Sequence, residues 1–182
     1  MSVVVPTRFS DPKIWALLAS IRQAGLTPVI VHTEHGHPDV PDAVNVLDTR
    51  RNIQCWWNTG LDLCGDRALV LNDDLTAPPA GLRTMFDALN TADLVHLTGS
   101  YGWSALTGFC FGLRPDVIRP DEDFTWWFGD TDLHYRAMSA GLAITVLDDT
   151  GIVEDRQDKP AYPLEFDAAV RLDRNLFHDR WG

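Results

Sequence analysis

The 182-residue chain is poor in several things, and each shortage narrows what it can be. It has three cysteines, Cys55, Cys64 and Cys110, with no CxxC pair and no metal-ligand spacing. A disulfide scaffold and a zinc ribbon are excluded, and reduced, mostly buried thiols are expected. Basic residues are scarce. Fifteen Lys and Arg stand against 26 Asp and Glu, a formal net charge of -11. That balance opposes sequence-independent binding to nucleic acid or anionic membrane, leaving at most a local basic pocket. No apolar run approaches the roughly 18 residues that span a bilayer. The opening "MSVVVPTRF" lacks the basic-then-apolar pattern of a signal peptide. A soluble, cytoplasmic protein is expected. There is no GxGxxG and no P-loop, so a dinucleotide oxidoreductase or a kinase lacks its phosphate-binding signature. Internal repeats and low-complexity segments are missing too.

What is present is an alternation of short β-branched runs with helical patterns, the mark of a layered α/β domain. Hydrophobic residues make up 45% of the chain, enough for one sizeable core. "SVVVP" reads as a buried strand. "SDPKIWALLASIRQAG" reads as a helix with Ile14, Leu17, Leu18 and Ile21 on its apolar face. Ser10 or Asp11 is expected to cap it, Pro12 suits its first turn, and Gly25 stops it. "TPVIVHT" and "AVNVLD" are further strands, residues 50–64 are helical, and "RALVLN" is a fourth strand. "PAGLRTMFDALN" is a helix, "DLVHLTG" a strand, and "GFCFGLRP" alternates through Phe109, Phe111 and Leu113. "GDTDLHYRAMSAG" is a helix closed by Gly141, and "AITVL" a late strand. Composition turns polar near residue 156. The expected division is a catalytic domain over 1–155 and a tail over 156–182. The tail carries a helix with Phe166, Ala169, Val170, Asp173, Phe177 and Trp181 at helical spacing. That helix either docks on the domain or makes a contact between subunits of a homo-oligomer; docking is the expectation.

"LVLNDDLTAPP" holds the first chemical signal. Asp73 and Asp74 follow an apolar strand, and in open α/β sheets ligands sit beyond the carboxyl ends of strands. Two buried carboxylates are costly without partners. A divalent cation such as Mg²⁺ or Mn²⁺ removes the cost, because hard cations take oxygen ligands. A solvated turn is the plain alternative, since Asp is common in turns.

"WWFGDTDLHYR" holds the second. Asp130 reads as an N-cap, Asp132 as a partner of the helix dipole, and Asp132 with Arg136 as an i,i+4 pair. Tandem tryptophans ahead of a helix start also suit contact with a ligand. A carboxylate beside aromatic walls makes a general base, because apolar surroundings raise its pKa. "HTEHGHP" brings His32, His35 and His37 together at a spacing that fits no standard zinc motif, so solvent-exposed histidines are expected.

Taken in order, "SVVVPTR", "NTGLDLCGDRALVLNDDLTAPPAGL", "TGFCFGLRPDVI" and "GDTDLHYRAMSAGLAITVL" resemble the nucleotide-sugar glycosyltransferases of the A-type fold, family 2 above all. The resemblance runs from about residue 2 to residue 155. It implies a Rossmann-like α/β/α sandwich in a single domain, with a mostly parallel central sheet. It implies an inverting, hexosyltransferase-like enzyme that uses Mn²⁺ or Mg²⁺ and a nucleoside-diphosphate sugar, UDP-sugar first. Asp74 takes the place of the chief metal ligand, with Asp73 beside it and Glu154 where a late histidine often completes the set. Pro6, Thr7, Arg8, Glu34, Asn58, Asn72 and Asp73 fall at the nucleotide-sugar site. Asp130 matches the catalytic base, and Asp132 and Arg136 its supporting pattern. Trp126, Trp127, Trp103 and Tyr101 offer flat walls for a sugar or base ring; packing into the core is the other reading of each.

Three positions depart from the family pattern. Gly129 stands where a glutamate often precedes the catalytic aspartate, Trp57 where an arginine often precedes the asparagine of "NTG", and Glu154 where a histidine is common. They leave two other readings in view: a non-catalytic nucleotide- or carbohydrate-binding module, and a nucleotidyltransferase. The latter calls for a glycine-rich, basic loop near the N-terminus, and "PTRFSDP" is poor in both. Little chain is left beyond a donor-binding core, so the acceptor is expected to be large: a protein, a polymer or a modified nucleic-acid base.

Overall fold

The computed structural model describes residues 1–9, 12–98, 106–154 and 164–182. Its centre is a seven-stranded sheet built from β1 (Ser2–Thr7), β2 (Thr27–His32), β3 (Val44–Leu47), β4 (Ala68–Leu71), β6 (Leu94–Leu97), β7 (Cys110–Leu113) and β8 (Ile144–Leu147). The spatial order is β3-β2-β1-β4-β7-β6-β8. Only β7 runs against its neighbours β4 and β6; every other pairing is parallel. A separate two-stranded ribbon joins β5 (Leu75–Thr76) to β9 (Val153–Glu154).

The inner strands are largely apolar because helices cover both faces of the sheet. On one face Val3, Val5, Leu69 and Leu71 meet α1 (Ile14–Gln23) and α3 (Pro79–Ala88) in a single cluster. On the other, Val4, Val29, Val31, Val70 and Phe111 meet α2 (Ile53–Leu61) and α4 (Gly129–Ser139). The α2 backbone lies so close to β1 that a side chain at Gly60 would collide with Val4. The final helix, α5 (Leu164–Trp181), packs Phe177 against Phe128 and Tyr135, and Trp181 against Tyr135. Among the described residues, no helix is long and apolar enough to cross a membrane.

Two details differ from the sequence reading. Helix α1 starts later than expected, at Ile14 with Lys13 in the N-cap position and no side-chain cap, while Ser10 and Asp11, the expected caps, lie outside the described residues. It ends as expected, with Gly25 at φ +71 just beyond Ala24. The β5–β9 ribbon has no counterpart in the sequence reading, because two-residue strands carry no periodicity to detect. The expected boundary at 155–156 falls outside the described residues.

Candidate active site

Strand order reverses direction between β1 and β4, the kind of crevice where open α/β sheets take ligands. The residues leaving both strands are tied together there. Thr7 Oγ1 donates to Asp73 Oδ2 at 2.7 Å, and the Phe9 amide donates to Thr7 Oγ1 at 2.8 Å. From the next strand, the Thr33 amide donates to the Thr7 carbonyl at 3.1 Å. Arg8 and Glu34, both well exposed, form an ion pair at 3.8 Å across the ends of β1 and β2. Pro6 lies half-buried inside β1.

Asp73 and Asp74 are half-buried in the turn that leads from β4 into β5. Glu154 is brought to the same end of the sheet, because β9 pairs antiparallel with β5 and sets Glu154 opposite Leu75. Among the described residues, no group of three or more His, Cys, Asp or Glu stands close enough together to hold a metal ion by itself. The donors at the β4 end fit a cation that takes one or two carboxylates and completes its shell with phosphate and water, as Mg²⁺ commonly does.

Asp130 is carried by α4, but not as its cap. Phe128 holds the N-cap position in a left-handed conformation, φ 62, and Asp130 falls within the first turn. Its carboxylate turns back to accept from the Thr131 amide at 2.8 Å and from the Gly108 amide at 2.8 Å. Burial pushes the Asp130 carboxyl above the usual carboxylate range, and those amide donors reverse the push only in part. Space at Gly108 is tight: an added Cβ would lie 3.0 Å from Trp57 Cη2 and 3.2 Å from Asp130 Oδ2. The Trp57 ring and the Asp130 carboxylate thus both lie against Gly108.

Gly129 has its own cause. The buried Gln54 side chain reaches across from α2 and fills the space that a side chain at 129 would need. Gly129→Ala is expected to lower stability by about 1–3 kcal/mol, the usual cost of overpacking a filled core. Chemical denaturation reads that loss. Adding Gln54→Ala should recover part of it, since residues in contact couple.

Segment 108–109 bonds both Asn72 and Asp130. The Asn72 amide donates to the Phe109 carbonyl at 2.9 Å, and the adjoining Gly108 amide donates to Asp130. Asn72 and Asp130, far apart in sequence, thus meet the same short segment.

Other expected site residues are committed elsewhere. The Asn58 side-chain amide donates to the Pro120 carbonyl and to Glu122 Oε1, both at 3.0 Å, so that group braces the loop over α2. Asp132 is fully buried and accepts from Arg136 at 2.7 Å, from Arg180 at 2.8 Å and from the Trp181 indole at 2.9 Å. Trp126 is half-buried between Trp56 and Phe166, while Trp127 is 42% exposed. Trp103 and Tyr101 lie outside the described residues. The histidine expectation is corrected in part. His35 is exposed, but His32 is buried with Nε2 3.0 Å from Asn45 Oδ1, and His37 packs on Phe9. The polar group on Asn45 explains the burial of His32, which apolar patterning does not reveal.

Comparison with known proteins gives the fold a wider setting. No family model matches the sequence, and no curated protein matches it. Solved structures do. S. aureus TarS 1-349 in complex with UDP-GlcNAc superposes with a TM-score of 0.60 at 16% identity, over 94% of this chain and 64% of that one. This chain therefore spans just under two thirds of the TarS fragment. The 2-C-methyl-D-erythritol 4-phosphate cytidylyltransferase of Thermus thermophilus gives 0.56 at 14% identity, over 95% and 98%. A hypothetical transferase from the same organism gives 0.53 at 16% identity, over 82% and 92%. The α/β fold with its mostly parallel sheet is shared with these structures.

Proposed function

We propose that the protein is an inverting glycosyltransferase that moves a sugar from a nucleoside-diphosphate sugar, UDP-sugar first, to an acceptor hydroxyl. The observation that supports this reading is that segment 108–109 bonds both Asn72, the residue before Asp73, and Asp130 at the helix start. A diphosphate site and a base must lie on either side of one anomeric carbon, and a shared neighbour at 108–109 is consistent with that need. Asp130 takes the acceptor proton as the new C–O bond forms, once the hydroxyl lies within about 2.6–3.2 Å. The anomeric bond to the phosphate oxygen breaks, and the nucleoside diphosphate leaves with the electron pair. A bound Mn²⁺ or Mg²⁺ supplies compensation for the charge on the departing diphosphate. Asp74 and Asp73 would hold it, and Glu154, carried to the same end of the sheet by β9, would join them. Thr7 orients Asp73 through its hydroxyl, Arg8 and Glu34 border the base, and the exposed ring of Trp127 offers a wall to the acceptor.

Calorimetry tests the donor half. Tight binding of UDP or a UDP-sugar, dependent on Mn²⁺ and lost in Asp74→Ala, is the expected result. A folded protein that binds no nucleotide sugar overturns the reading.

A nucleotidyltransferase is the second reading, favoured by the near-complete mutual coverage with the cytidylyltransferase. The two part at the leaving group. Pyrophosphate released from a nucleoside triphosphate supports the second reading; nucleoside diphosphate released from a nucleotide sugar supports the first.

A further inference from the structure

We propose that Asp173, on the C-terminal helix α5, is a positioning residue that fixes the chain leading into Asp130; its bearing on catalysis rests on the transferase reading above. The Asp173 side chain is 1% exposed. A carboxylate that deep is tolerated only when its oxygens are satisfied. Here three consecutive backbone amides do it. Asp173 Oδ1 accepts from Thr125 at 3.0 Å, and Oδ2 accepts from Trp126 at 2.8 Å and Trp127 at 3.0 Å. Charge-assisted bonds of this kind are short and strong.

The three amides immediately precede Phe128, whose left-handed backbone makes the turn that sends the chain into α4. A non-glycine residue holds such a conformation only where its surroundings impose it. Asp173 pins the chain before that turn, and the Phe177 ring, one turn further along α5, lies 5.2 Å from the Phe128 ring. The same helix grips the far side as well. Arg180 donates to Asp121 and Asp132, and Trp181 donates to Asp132, two residues beyond Asp130. α5 therefore holds the backbone before the base and the Asp132 side chain after it. A carboxylate is needed at 173 because it presents acceptors only. An asparagine there turns an NH₂ group toward at least one of the three N–H donors.

The test is amide hydrogen exchange on wild type, Asp173→Asn and Asp173→Ala, with donor binding and nucleotide-sugar turnover measured on the same samples, water serving as acceptor. Exchange at Thr125, Trp126 and Trp127 should quicken by about 100-fold or more in the variants while the β4 amides stay protected. Donor KM should stay within about twofold and kcat should fall by about 100-fold, the cost of displacing a reacting group by about 1 Å. Asp173→Glu, which keeps the charge, should restore part of the protection and of kcat. Exchange within about threefold of wild type, or unchanged kcat in a folded variant, overturns the proposal. So does fast exchange of these amides in the wild-type protein, which decides the matter even if both variants fail to fold. Wild-type protein that binds no nucleotide sugar sinks the transferase reading alone, and the exchange result still judges the clamp.

Discussion

Asp130→Asn should lower transfer by about 10²–10⁴-fold, the usual contribution of a general base, with donor binding unchanged. The substitution keeps the size of the side chain and removes its ability to take a proton. Its effect on stability should be small, for two opposed reasons. One of the amide donors from Gly108 or Thr131 will face an NH₂ group in place of an oxygen. Against that, a costly ionised carboxylate is gone. The sign follows from the upward shift at Asp130. A carboxyl whose folded pKa exceeds its unfolded value contributes stability that is fully present below the unfolded pKa. That contribution is lost as pH rises through the folded pKa. The fold thus disfavours the ionised form that the reaction needs, and the variant gives up that penalty at neutral pH.

The same shift sets the pH profile. A base works when ionised, so the wild-type rate should climb with pH through a midpoint above about 3.9, the ordinary aspartate value. The acidic limb should vanish in Asp130→Asn, whose residual rate should be flat there. Full transfer by a folded Asp130→Asn protein would remove Asp130 from the mechanism altogether.

How much of this was legible in the sequence depends on the range of the interaction. The strands and helices that build the sheet announce themselves locally, through β-branched runs and the spacing of Ile14, Leu17, Leu18 and Ile21, all buried on α1. The Asp132–Arg136 pair is local too, and it forms at 2.7 Å. The surroundings of Asp130 are not local. Gly108 reaches it from 22 residues away, and Asp173 acts on Trp126 from 47 residues away. Gln54, which explains Gly129, comes from a different helix. A single sequence gives no signal for such pairs except an oddity at one end: a glycine where a side chain is expected, or an aspartate among Phe166, Val170 and Phe177 on an apolar helix face. Asp173 showed that oddity. It sits at apolar spacing because it is buried, and it is charged because three amides need it.

Asp74→Ala should remove the Mn²⁺-dependent part of nucleotide-sugar binding, by more than about 100-fold in affinity. That figure is a floor. Removing a mere outer partner of a metal ligand costs about 10–100-fold, and Asp74 is assigned to the metal itself. Thr7→Val offers a graded companion. It keeps the shape of the side chain and deletes the 2.7 Å bond to Asp73. A hydrogen bond to a charged group contributes about 1.5–3 kcal/mol, so donor affinity should fall by roughly 10-fold or more. The two variants together separate direct ligation from orientation. If Asp74 binds the cation, its loss abolishes the response to Mn²⁺, whereas Thr7→Val keeps that response and weakens it. The thermal midpoint gives a second reading of the same quantity, because a ligand that binds only the folded state raises it by mass action. Mn²⁺ with UDP should raise the midpoint of wild type, raise that of Thr7→Val less, and leave Asp74→Ala where it was. An equal rise in all three would place the cation away from the end of β4, and the carboxylate pair would then be only the solvated turn that Asp so often builds.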